Sequence, residues 1–80
     1  MSVEEIMALF PQGTSRQVAH ATIAAARGAV RLEGLGMRHS SGRSVRKHWT
    51  ALLNLPARTP ASEVFARLDE ALETLKLAPR

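Results

Sequence analysis

The side chains with most chemistry to offer fall between residues 38 and 47: Arg38, His39, Ser40, Ser41, Gly42, Arg43, Ser44, Arg46 and Lys47. Cations and hydroxyls are packed here with no acid among them. Such a set suits one task, the holding of an anion. Guanidinium groups grip phosphate or carboxylate through paired hydrogen bonds. A helix that opens near Arg43 would add its free backbone N–H groups and the positive end of its dipole. Cations in a first helical turn sit against that dipole until an anion arrives, so their placement points to a ligand. Arg38, Ser41, Arg43, Arg46 and Lys47 therefore read as a phosphate clamp. Gly34, Gly36 and Gly42 make neither a dinucleotide fingerprint nor a phosphate loop. They follow a helix rather than a strand, and no Gly-Lys-Ser/Thr is present.

A second set lies upstream. Arg16, His20, Arg27 and Arg31 recur at helical spacing and form one basic ridge, with Gln17 beside its start. Arg and Gln are the side chains that hydrogen-bond guanine and adenine edges bidentately. With Ser15, the residues Arg16, Gln17 and His20 are thus the candidates for base contact, and Arg27 and Arg31 extend the band towards the clamp.

Charge distribution supports the same partner. Residues 16–58 hold eight of the eleven Lys and Arg against a single acid, Glu33, while both flanks are net negative. The chain as a whole is +4. A basic middle between mildly acidic ends suits double-stranded DNA first and an acidic protein surface second.

Other chemistries find little support. Without cysteine there is no disulfide, zinc–thiolate site or thiol nucleophile. His20, His39 and His48 lack an i, i+4 partner and nearby acids at ligand spacing, so no metal site is expected. Ser40, Ser41 and Ser44 lie near histidines, but no acid in that stretch orients a base, and no nucleophile elbow is present. The sequence predicts no enzyme, no catalytic residue and no cofactor.

The elements that must position these residues are helical. Eighty residues allow one domain, residues 1–80, with a modest core. Aromatics are 4% of the chain, so Ala, Leu, Val and Ile must build that core, which favours helix-on-helix packing. Four helices are expected, over about residues 2–10, 15–33, 43–54 and 60–77. Ser2 and Glu5 have capping-box spacing, and Val3, Ile6, Met7 and Phe10 form a stripe. Thr14 and Gln17 repeat the box before the second helix. That helix carries two apolar lines: Ala19, Ile23, Ala26 and Val30, and beside it Val18, Ala21, Ala25, Ala29 and Leu32. Two contacted sides make it the central helix. Gly28 either admits a close helix contact or marks an early end.

Ser41 is the expected cap of the third helix and Thr59, before Pro60, that of the fourth. Trp49 falls at core spacing with Val45 and Leu52. The last stripe, Val64, Phe65, Leu68, Leu72 and Leu75, completes the core and offers a homodimer interface through the C-terminal helix. Ala8 and Val18, ten residues apart around a Gly-containing break, match the spacing of a helix-turn-helix in the first two helices.

The expectation is thus an all-α bundle with a helix-turn-helix, acting as a small dimeric DNA-binding regulator of transcription. The alternative is a helical module that inhibits or adapts a larger protein through an acidic surface. No apolar run reaches the ~20 residues that span a bilayer. The acidic first residues do not resemble a secretory leader. A cytoplasmic protein without membrane contact is expected.

Overall fold

Ser2 starts the first helix as its spacing predicts. Its hydroxyl accepts from the Glu5 N–H at 3.2 Å, and the Glu5 carboxylate accepts from the Ser2 N–H at 3.0 Å. The computed structural model describes residues 1–36 and 42–76, with the backbone alone for 42–44. Its helices are α1 Val3–Met7, α2 Arg16–Gly34, α3 Gly42–Leu52 and α4 Ala61–Leu75. No strand occurs among the described residues.

α1 stops short of Phe10 because its last turns tighten ahead of Pro11. Leu9 and Phe10 donate to Ile6 and Met7, three residues back rather than four. Gly13, at φ 92°, takes the left-handed turn that leads into α2. Ser15, rather than Thr14, caps α2: its hydroxyl accepts from the Val18 N–H at 3.1 Å. The Thr14 hydroxyl instead closes the turn by donating to the Pro11 carbonyl.

α2 and α4 run antiparallel. Arg16 at the start of α2 reaches the carbonyls at the end of α4, and Gly34 at the end of α2 faces Ala61 at the start of α4. Ala19, Ile23, Ala26 and Val30 of α2 meet Val64, Leu68, Ala71, Leu72 and Leu75 of α4, all buried. α3 returns along the other flank of α2. Arg46 pairs with Glu33 near the end of α2, and Trp49, 5% exposed, reaches Phe10 at 6.0 Å between ring centroids. α1 packs chiefly on α4 and buries Ile6.

Three expectations are corrected. Ala8 and Val18, which a helix-turn-helix needs inside, are both exposed, Val18 at 56%. The small residue and its apolar partner therefore do not lock α1 onto α2. The Thr59 hydroxyl donates to the Pro56 carbonyl, so α4 starts at Pro60 without a side-chain cap. Gly28 is neither an end nor a close contact among the described residues: a methyl added there would meet nothing of theirs within 4 Å. No helix among the described residues is long and apolar enough to cross a membrane.

Candidate anion-binding pole

The band of arginines divides in two when the helices pack. Arg16 belongs to the fold. Its Nε donates to the Leu75 carbonyl at 3.1 Å, and its Nη2 donates to Lys76 at 3.3 Å and Thr74 at 3.5 Å. These are the carbonyls that a helix end leaves without partners, and a cation there also complements the negative end of the α4 dipole. Arg27 pairs with Asp69 of α4, and its guanidinium carbon lies 5.8 Å above the Phe65 ring. Arg46 donates from Nε to the Glu33 carboxylate at 2.8 Å. That pair is largely covered, at 18% and 25% side-chain exposure. The other Glu33 oxygen is buried without a hydrogen-bond partner among the described residues, so the Arg46 contact offsets a carboxylate withdrawn from water.

Arg31 and Lys47 have the other fate. Both are exposed, and neither enters an ion pair among the described residues. Arg31 stands one turn before the end of α2, and Lys47 follows Arg46 at the same level of α3. Arg58, exposed and three residues ahead of α4, belongs to this end too. Arg31 also borders a cleft of about 640 Å³ with Val30, Gly34, Leu35, Pro60 and Phe65. The uncapped start of α4 forms part of its wall, so backbone N–H groups and the positive helix end add to the cations.

Acids gather at the opposite end. Glu4 and Glu5 lie on α1, which packs near the C-terminal half of α4, where Glu70 and Glu73 stand. Arg16 and Lys76 are exposed cations at that end, Arg16 held on the carbonyls that end α4. At the basic end Glu33 is engaged by Arg46, and Glu63 faces Arg67 at 3.5 Å. The molecule is therefore electrically polar along α2.

This geometry puts Arg31 and the Arg46–Glu33 pair at the same end of α2, on opposite flanks of the helix, with Lys47 next to Arg46, and separates them from Arg16, Gln17 and His20. The latter sit about 16–22 Å from Arg31 along α2, at 1.5 Å per residue. Gln17 is exposed and His20 half-buried. Arg38 and Ser41 lie outside the described residues, as does the Arg43 side chain. Arg58 was not expected at the site, because it sits in a Pro-containing linker. Its membership of the 16–58 excess charge was the available signal. Among the described residues no three His, Asp or Glu side chains come together as metal ligands would. No protein-family model, curated protein or solved structure gives a significant match to the chain.

Proposed function

We propose that this protein is a small nucleic-acid-binding regulator that grips the backbone of double-stranded DNA with its basic pole. The observation that supports this reading is the division of the arginines. Three are bonded within the fold, while Arg31, Lys47 and Arg58 are each exposed towards the end remote from most acids. Exposed cations without acid partners gain most from a polyanion, because each neutralised phosphate releases counterions. The contacts are to phosphate rather than to bases, since Arg16 is engaged by α4 and Gln17 lies at the far end. An acidic protein surface is the second reading, favoured by the apolar wall that Val30, Leu35 and Phe65 give the cleft beside Arg31.

Fluorescence anisotropy of a labelled random duplex at ~50 and ~200 mM salt tests the proposal. Affinity is expected to collapse between the two. Changing Arg31, Lys47 and Arg58 together to Ala should lower the log–log salt slope by about 3. Arg67→Ala, which removes a cation already flanked by Glu63 and Glu70, should leave the slope nearly unchanged. Absence of binding at the lower salt would reject the DNA reading and turn attention to an acidic protein.

A further inference from the structure

The C-terminal stripe that the sequence offers for a dimer is taken up inside the chain: Val64, Leu68, Leu72 and Leu75 are buried. The apolar face left open belongs to α2. Val18, Ala21, Ala25, Gly28 and Leu32 follow one another at steps of three and four, which aligns them on one side of the helix. That side faces away from the α4-facing line of Ala19, Ile23, Ala26 and Val30. Val18, Ala21, Ala25 and Gly28 are exposed and Leu32 is half-buried. Leu35, 65% exposed, extends the stripe past the end of the helix. Along it runs a groove whose second wall is Val45 and Trp49 of α3.

We infer that a second copy of this chain occupies that face, its α2 lying antiparallel to the first across a twofold axis near Ala25. Two independent features select this occupant. The first is size. The stripe is large at both ends and small in the middle, so an antiparallel copy sets Val18 against Leu32 and Leu35 and lets the helices approach closely at Ala25 and Gly28. Glycine disfavours a helix interior. Among the described residues nothing comes within 4 Å of a methyl built at Gly28, and a closely crossing helix would use that space.

The second is charge. Because the molecule is polar along α2, antiparallel copies put the basic pole of each beside the acidic end of the other. Parallel copies would oppose like poles. The stripe itself carries no charge: Arg16 and Arg27 are held against α4. This inference goes beyond the DNA reading and does not rest on it.

Sedimentation equilibrium of the protein at about 10 and about 200 µM tests it by mass action. The mass is expected to approach two chains at the higher concentration. Ala25→Glu should return it to one chain with unchanged helical circular dichroism. A single-chain mass for the unmodified protein at about 200 µM, or a dimer that survives Ala25→Glu, overturns the inference. The absence of cysteine gives a clean background for fixing the orientation. Under mild oxidation Ala25→Cys should link to itself, and Val18→Cys should link to Leu32→Cys in a mixture but not to itself. Self-linking of Val18→Cys as fast as that of Ala25→Cys overturns the antiparallel arrangement.

Discussion

One residue type has two fates in this chain, and neighbours decide which. Arg46 and Lys47 are adjacent cations, yet Arg46 is bonded to Glu33 and Lys47 faces water. Arg46→Ala would strand a partly buried carboxylate and should lower unfolding free energy by about 1–3 kcal/mol in urea titration. Arg31→Ala, with nothing to strand, should change it by less than about 0.5 kcal/mol. A further prediction concerns Glu5. The Ser2 backbone N–H, and after it the Ser2 hydroxyl, lower its pKa below the ordinary carboxylate value. A lowered folded-state pKa gives stability that is present above the unfolded pKa and lost as pH falls through the folded one. Amide exchange in α1 should therefore rise on acidification below the usual carboxylate range, and Glu5→Gln should flatten that response. The cations themselves were legible in the sequence. Which of them the fold consumes was not, because Leu75, Asp69 and Glu33 become partners only through packing.

The helices were legible as elements through their periodicity, while their ends depended on finer chemistry. Ser2 was read correctly since its hydroxyl and Glu5 are a local pair. Ser15 displaced Thr14 because its hydroxyl, not that of Thr14, reaches the Val18 N–H. The end of α3 is set by Asn54 in the left-handed conformation, at φ 57°. Leu55 N–H bonds back to the Thr50 carbonyl and Asn54 N–H to that of Ala51, the paired bonds of a Schellman ending. Asn54→Gly should hold or slightly raise the melting temperature. Asn54→Val, with a branched side chain in that conformation, should cost roughly 1–2 kcal/mol. Differential scanning calorimetry separates the two. The central role of α2 followed from its two apolar lines. Its second line proved open rather than packed, since α3 covers only one edge of it.

At the scale of the molecule, the outcome is a short polar rod of helices with a cationic end and an uncharged side. The amino-acid order foreshadowed this as a basic middle between acidic flanks, but folding rearranged it: residues 16 and 31, neighbours in one stretch, now mark opposite ends. The two proposals combine geometrically. Antiparallel copies paired about Ala25 would set the levels of their Arg31 residues about 18 Å apart along the helix axes, roughly half of the ~34 Å turn of B-DNA. Duplex length is then a variable with an expected effect. Binding should strengthen once a duplex is long enough to meet both poles, at about one turn, and gain little beyond that. Ala25→Glu should remove the gain while leaving the contact of a single pole.

Trp49 has an optical consequence. It is the only tryptophan and there is no tyrosine, so near-ultraviolet emission reports a single spot. That spot touches Phe10 on one side and borders the groove beside α2 on the other. Covering the groove should dry the indole edge and move its emission to the blue. The chain thus carries its own dye at the edge of the groove that a second copy would cover.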